Sequence, residues 1–121
     1  MDFKNYEKQA ILRLLAGISL ADGNVNVAED KLFRIFMLKL GITNSDIIAS
    51  KDMSNSKACS IAKGLSLNQK RLISALLASI ILVDGKVEES EFIALTAICA
   101  KCDIPVLDPN EVTAILDTYF K

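Results

Sequence analysis

The residues whose chemistry is most evident are four carboxylates in two copies of one short motif. Each copy reads Asp-Gly-x-Val-x-x-x-Glu. The first runs from Asp22 to Glu29, and the second, 62 positions later, runs from Asp84 to Glu91. Carboxylates at a chain reversal can hold a divalent cation, attract a basic partner or accept hydrogen bonds from the turn's own backbone. We refer to the two segments as the first and second acidic turns.

The acidic turns share a pattern with the second half of an EF-hand calcium loop, where an acidic residue precedes a Gly and a Glu closes the site. Aligned on the glycines, the first and third positions of that loop fall on Ile18 and Leu20 in one copy. They fall on Ile80 and Leu82 in the other. Calcium takes about six to eight oxygen ligands, and these apolar side chains supply none. The sequence therefore excludes an EF-hand.

Two interpretations of the acidic turns stay open. In one, Asp22 and Asp84 accept backbone N–H bonds, Gly23 and Gly85 reverse the chain, and the glutamates complete capping boxes at the next helix. In the other, Asp22, Glu29, Asp84 and Glu91 also form a divalent-cation site or an acidic surface for a basic partner. Further acids near the motif glutamates, which a turn alone does not need, favour the second: Asp30, Glu88 and Glu89.

The cysteines offer a weaker signal. Cys99-x-x-Cys102 has the spacing of redox and zinc sites, but the chain has no His and Cys59 is the one further thiol, too few for a four-ligand zinc site. Both residues fall on the apolar side of a predicted helix, which favours core packing. Three cysteines in a chain that begins without a secretory signal argue against a disulfide framework.

No arrangement of residues points to catalysis. The acidic turns have no His, no nucleophile with a base and no Gly-rich phosphate loop beside them, so we do not expect an enzyme. Three serines lie in apolar helical segments, where hydroxyls commonly bond to the preceding turn of their own helix: Ser19, Ser74 and Ser79.

The acidic turns must be positioned by helices, and the repeat shows which ones. Laying Ile11–Ile42 on Ile73–Ile104 gives twelve identities in thirty-two positions. Each acidic turn joins two segments whose apolar residues recur at spacings of three and four. We therefore predict an all-α chain, one domain over residues 1–121, as a compact bundle of about seven helices. It would be built from two pseudo-repeated helical hairpins at about 10–42 and 72–104.

In the first half, we predict helices from Phe3 to about Ala21 and from a cap at Asn26 to Leu40, with Gly41 ending the second. In the middle, Ser45 is predicted to cap a short helix through Ile48.

A second short helix, Lys57–Lys63, would be capped by Asn55 or Ser56 and ended by Gly64.

In the second half, Ser66 or Asn68 is predicted to cap a helix that reaches Val83, an apolar run typical of a buried central helix. Its partner runs from about Glu89 to Cys102, with an apolar seam of Phe92, Leu95, Cys99 and Cys102. Asp108-Pro109 is a favoured opening for a last helix to about Phe120.

The overall composition narrows the function classes. Of 121 residues 51% are hydrophobic and the formal net charge is −1, without the basic footprint of nucleic-acid binding. The longest uncharged run, Leu72–Val83, has twelve residues, fewer than the roughly 20 of a membrane span. The charged start, Met1–Lys8, does not look like a secretory signal. We expect a cytoplasmic protein with no nucleic-acid partner and no membrane span.

Two acidic turns between apolar helices in an all-α chain of this length resemble the TerB-like domain family. That family includes the bacterial tellurite-resistance protein TerB and the N-terminal domain of a membrane-anchored DnaJ-type co-chaperone. The resemblance extends from about Ala10 to Ile104, with the last helix also expected. Ala21-Asp22-Gly23 with Glu29 and Leu40-Gly41-Ile42 match the first half well, whereas Asp103 replaces the equivalent of Gly41 in the second.

The resemblance implies acidic turns that bind divalent metal, through Asp22, Glu29, Asp84 and Glu91, and a role in a bacterial tellurite or other stress response. With the residues themselves, it favours a non-catalytic binding module with a protein partner and a divalent cation as ligand. The alternative is a protein–protein or homodimeric scaffold with purely structural acidic turns. Its working surface would be a helix face such as Phe33, Phe36 and Met37, which could equally be core.

Overall fold

The computed structural model describes residues 2–19, 27–82 and 89–119. Within these ranges every regular element is an α-helix, so the all-α prediction is confirmed, as is the number of about seven helices. In chain order they are α1 (Asn5–Ser19), α2 (Val27–Leu40), α3 (Asn44–Asp52), α4 (Asn55–Lys63), α5 (Leu67–Leu82), α6 (Glu89–Cys102) and α7 (Pro109–Tyr119).

The helix bounds reproduce the sequence repeat. Helices α1 and α5 begin 62 residues apart, at Asn5 and Leu67, and so do α2 and α6, at Val27 and Glu89. Helices α2 and α6 each have 14 residues and therefore also end in register. The repeat extends further than the sequence predicts, because α3 packs on α1 as α7 packs on α5. Helix α4 has no counterpart in this scheme.

Helix α5 lies at the centre of the bundle. Every residue from Leu72 to Ile81 is buried, and α5 packs against α1, α2, α6 and α7. A helix that is apolar on all sides is stable in water when other elements surround it. The uncharged run is thus buried from Leu72 to Ile81, as predicted, while Leu82 is exposed and Val83 lies outside the described residues.

The two halves of the repeat pack against each other. Helix α6 packs on α1 as well as on α5, and α2 packs on α5. Helix α1 contributes one face to the common core, with Ile11, Leu15 and Ile18 almost completely buried. The second helix of each half therefore contacts the first helix of the other half, and one apolar cluster runs through both halves.

The ends of α2 and α6 have the same backbone conformation despite different residues. Gly41 has φ +68° and Asp103 has φ +56°, both in the left-handed region. In each case the next residue donates its N–H five residues back, from Ile42 to Met37 at 2.8 Å and from Ile104 to Cys99 at 2.9 Å. This is the hydrogen bond of a Schellman motif. Asp tolerates the left-handed region better than most residues, so the replacement of Gly leaves the turn intact.

The short helices begin earlier than predicted. Thr43, not Ser45, caps α3: its hydroxyl accepts from the Asp46 N–H at 3.3 Å, and the Asp46 carboxylate accepts from the Thr43 N–H at 3.0 Å. Ser54 caps α4 by accepting from the Lys57 N–H at 3.1 Å. Ser, Thr and Asn are nearly equivalent caps, so neighbouring candidates cannot be ranked by residue type.

The later helix ends follow the sequence closely. Ser66 accepts from the Gln69 N–H at 3.1 Å, so of the two predicted caps it is Ser66 that begins α5. Asp108 accepts from the Glu111 N–H at 2.9 Å, directly before Pro109 opens α7. Gly64 ends α4, as predicted.

Two glycines should respond in opposite ways to the same substitution. A Cβ at Gly17, inside α1, would lie 3.8 Å from Ile98 Cδ1, an ordinary contact, so Gly17→Ala should stabilise the fold by about 0.5–1 kcal/mol. Gly41→Ala would place a side chain at φ +68° and should cost about 1 kcal/mol or more. Urea unfolding of both variants measures this; two changes of equal sign would contradict the assigned backbone conformations.

Asp46 should make the stability depend on pH. Its pKa lies below the ordinary value, chiefly because the Thr43 N–H donates to the carboxylate, with the Gln9 and Thr43 side chains adding to the effect. The ionised form therefore stabilises the folded state at pH values above the ordinary Asp pKa. This contribution is lost as the pH falls through the folded-state pKa. We expect Asp46→Asn to destabilise the protein in urea at pH 7 and much less at pH 2.5; an equal effect at both would contradict it.

Candidate functional site

The structure places one of the four predicted site side chains. Glu91 is the third residue of α6 and is buried, with 3% of its surface exposed. Glu29 is the third residue of α2, but its side chain lies outside the described set, as do Asp22 and Asp84. Among the described residues no group of three His, Cys, Asp or Glu lies close enough to hold a metal ion. The cation site therefore stays a prediction.

The turn chemistry predicted around these carboxylates also falls outside the described residues. This concerns the reversals at Gly23 and Gly85, and the Asn26 cap with its Glu29 partner. The structure agrees with the exclusion of an EF-hand. Ile18 and Ile80, which occupy the first ligand position of such a loop, are completely buried in the core.

The predicted apolar stripe on α2 is mainly core. Phe36 is buried, with 2% exposed, and Phe33 is half-buried against the core. The large apolar residues that α2 exposes are Ile35 and Leu38. Phe36, the middle residue of the predicted stripe, is therefore part of the core.

An apolar groove lies between α5, α6 and α7. Its volume is about 170 Å³ and nine residues line it, all of them apolar: Ala78, Ile81, Leu82, Phe92, Leu95, Val106, Leu107, Pro109 and Val112. Phe92 was predicted to be part of the apolar seam of α6, and it lines this groove with Leu95, but 51% of its surface is exposed, whereas Leu95, Cys99 and Cys102 are buried. Helical spacing puts Phe92 on the right side of α6, but α5 and α7 leave that end uncovered.

The segment 105–107, which supplies Val106 and Leu107 to the lining of the groove, is bonded to the core. The Ser74 hydroxyl donates to the Pro105 carbonyl, so Ser74 bonds to this segment and not, as predicted, to its own helix. Ser79, by contrast, does donate to the preceding turn, at the Leu76 carbonyl. Lys70 forms an ion pair with Asp103 at 3.2 Å, before the segment begins. These contacts give Val106 and Leu107 a defined position opposite Phe92.

Carboxylates lie close in sequence to several of the lining residues. Glu89 lies one helical turn before Phe92 on α6, while Asp108 and Glu111 flank Pro109 and Val112 at the start of α7. The Glu111 N–H lowers the pKa of Asp108, which keeps that carboxylate ionised. Arg71 offsets part of this charge through an ion pair with Glu111 at 3.3 Å.

The cysteines differ from the prediction in one respect. Cys59 on α4 and Cys102 at the end of α6 form a disulfide between residues 43 apart, with a Cα–Cα distance of 4.7 Å. The argument against disulfides was therefore wrong for this pair. Cys99 is a free, buried cysteine, as core packing predicts, and burial raises the pKa of its thiol. The pairing depends on α4 packing against α6, which spacing along the chain cannot indicate.

No protein-family model and no curated protein matches this chain. Among solved structures, the chain is similar to the protein of unknown function PG1108 from Porphyromonas gingivalis W83, with 24% identity and a TM-score of 0.84. The similarity covers 97% of this chain and 92% of that one, and at this identity it shows the fold alone. The resemblance to TerB-like domains stays a prediction. None of the described helices combines the length and the apolar character that crossing a membrane requires.

Proposed function

We propose that this protein is a non-catalytic binding module whose apolar groove receives a protein segment with a large apolar side chain between basic residues. The observation that carries the proposal is a groove lined, among the described residues, by nine apolar side chains, with Glu89 and Asp108 close in sequence to lining residues. The proposal also includes a role in a bacterial stress response and a cytoplasmic location, both because of the resemblance to TerB-like domains.

The size of the groove favours a side chain as its occupant. A volume of about 170 Å³ is below the roughly 300–1,000 Å³ of typical small-molecule pockets. Phe92, half-exposed at its edge, is the kind of aromatic residue that dominates binding energy at protein interfaces. Leu82 and Val106, also partly exposed, would be covered by the same partner.

The carboxylates close in sequence to the lining residues favour a basic partner. A segment with Lys or Arg on either side of its apolar residue would place positive charge near Glu89 and Asp108, whereas an acidic segment would be repelled. The second acidic turn adds to this in sequence, since Asp84 lies two residues beyond Leu82. A basic partner is also one of the two ligand classes that the acidic turns suggest.

Neighbouring residues on α6 provide a matched test. Phe92 and Ile93 are exposed to similar extents, 51% and 59%, but Phe92 lines the groove and Ile93 does not. For a twelve-residue peptide with a central Leu flanked by Lys and Arg, we expect Phe92→Ser to raise the Kd at least about tenfold and Ile93→Ser to leave it nearly unchanged. Fluorescence anisotropy of the labelled peptide measures this.

The peptide's charge is the second variable. The same peptide with Glu in place of Lys and Arg should not bind, and 0.5 M salt should weaken the basic peptide. Equal binding of both peptides, or equal loss with both variants, would contradict the proposal. Self-association that Phe92→Ser abolishes would instead identify a second copy of the chain as the occupant.

A second candidate function is binding of a divalent cation through the acidic turns. The observation in its favour is the helix register, which makes Glu29 and Glu91 equivalent third residues of α2 and α6, with Glu91 buried. If the site exists, Asp22, Glu29, Asp84 and Glu91 are the oxygen ligands that this chain would supply. Carboxylates suit Mg²⁺, Ca²⁺ or Mn²⁺ better than soft metals.

Metal titration tests this candidate. We expect Mn²⁺ below millimolar concentration to broaden the amide NMR signals of Gly23 and Gly85 in a saturable way. The double substitution Asp22→Asn, Asp84→Asn should abolish the broadening while the circular dichroism spectrum stays helical. Loss of the fold in that variant would show that the aspartates are structural, and absence of any effect of Mn²⁺, Mg²⁺ or Ca²⁺ would refute the site.

A further inference from the structure

The Cys59–Cys102 disulfide lies beside two cavities that meet at α4 and α6. One, of about 290 Å³, is lined by Asn55, Ser56, Cys59, Ser60, Lys63 and Lys101. The other, of about 240 Å³, reaches α1 and includes Arg13 together with Asn55, Cys59 and Lys101. Cys59 lines both cavities and Cys102 lines neither, so a molecule in either cavity would meet the crosslink on the Cys59 side. We call the two cavities together the disulfide cleft.

The charged part of the described lining of the disulfide cleft is basic and contains no carboxylate, while the second cavity also has an apolar wall of Leu14, Gly17, Ala94, Ala97 and Ile98. Lys63, Lys101 and Arg13 all face it, and none of them forms an ion pair with a carboxylate in the part of the chain that the structure describes. Arg13 donates from Nε to the Asn55 side-chain oxygen at 3.1 Å, which holds its guanidinium at the wall. Serine hydroxyls and the Asn55 amide complete a lining suited to an anionic polar molecule.

The two cysteines of the crosslink differ in accessibility. Cys102 is completely buried and lines neither cavity, whereas Cys59 is partly exposed. Thiol–disulfide exchange begins when a thiolate attacks one sulfur and the other leaves, and the accessible sulfur is the one attacked. Lysines beside that sulfur stabilise an approaching thiolate and the carboxylates of the molecule that carries it.

We propose that Cys59 is a site of reversible thiolation by a small anionic thiol that bears carboxylates, in exchange with the Cys59–Cys102 disulfide. The incoming thiolate sulfur bonds to the Cys59 sulfur as the Cys59–Cys102 bond breaks. The electron pair leaves on the Cys102 sulfur, which takes up the proton released by the small thiol. The small thiol is oxidised and Cys102 is reduced, so no further oxidant or reductant is needed.

Exchange at Cys59 would remove the covalent link between α4 and α6 and leave their packing. The crosslink is the covalent connection between these helices, and Cys99, the remaining cysteine, is a poor competitor. Its thiol is buried one turn before Cys102 on α6, and burial disfavours its ionisation. The product would therefore carry the small molecule on α4 and a buried thiol at the end of α6.

The test compares thiols of different charge. Aerobically purified protein is treated with reduced glutathione, with neutral 2-mercaptoethanol and with cationic cysteamine. Rates are followed by intact mass and normalised to the thiolate concentration of each reagent. At low salt we expect glutathione to react roughly three- to tenfold faster than 2-mercaptoethanol and cysteamine to be slowest, with the differences lost in 0.5 M salt. Peptide mapping should place the mixed disulfide on Cys59.

Two double variants that lose the same charge distinguish an effect of the lysines in the disulfide cleft from an effect of the protein's overall electrostatic field. Lys63→Gln with Lys101→Gln should remove most of the preference for glutathione, while Lys31→Gln with Lys39→Gln, exposed on α2, should retain it. Equal rates for the three thiols, modification at Cys102 in place of Cys59, or a purified protein whose Cys59 and Cys102 are both reduced would overturn the proposal. None of these results depends on the apolar groove.

Discussion

The burial of α5 on all sides is the constraint on which the rest of the structure depends. Ten consecutive residues, Leu72–Ile81, are removed from water, and each large aliphatic side chain among them contributes about 1.5–3 kcal/mol when fully buried. No single helix can cover such a surface, so α1, α2, α6 and α7 must all approach it. The apolar groove lies at the end of this buried stretch, where Leu82 is exposed, so the fold and the proposed binding surface share the same apolar helix.

The sequence predicts the helices better than it predicts which helix covers which residue. The bounds of α6 match the structure because its apolar periodicity and its Glu-rich start agree with one another. The caps at Thr43 and Ser54 were missed because several good capping residues lie within two or three positions of each other. The exposure of Phe92 and the pairing of Cys59 were missed for a different reason: which helix covers a residue, or which sulfur meets another, is decided by contacts between distant parts of the chain.

The candidate sites differ in how far the sequence leads to them. The acidic turns are visible as a duplicated motif, yet three of their four key side chains lie outside the described residues, so their chemistry rests on the repeat and on the position of Glu91. The apolar groove and the disulfide cleft have no sequence signature. Their lining residues come from several helices, and each is an ordinary apolar, serine or lysine position when considered along the chain.

The unmatched helix α4 makes the two halves of the duplication interdependent. It packs against α1 of the first half and α6 of the second, and its Ala58 and Ala62 are buried among them. A pair of fragments cut in the connection before α5 would separate α4 from one of the surfaces it covers. We therefore expect each half to be poorly folded alone and to regain structure when the two are mixed, so that the domain behaves as one cooperative unit although its sequence repeats.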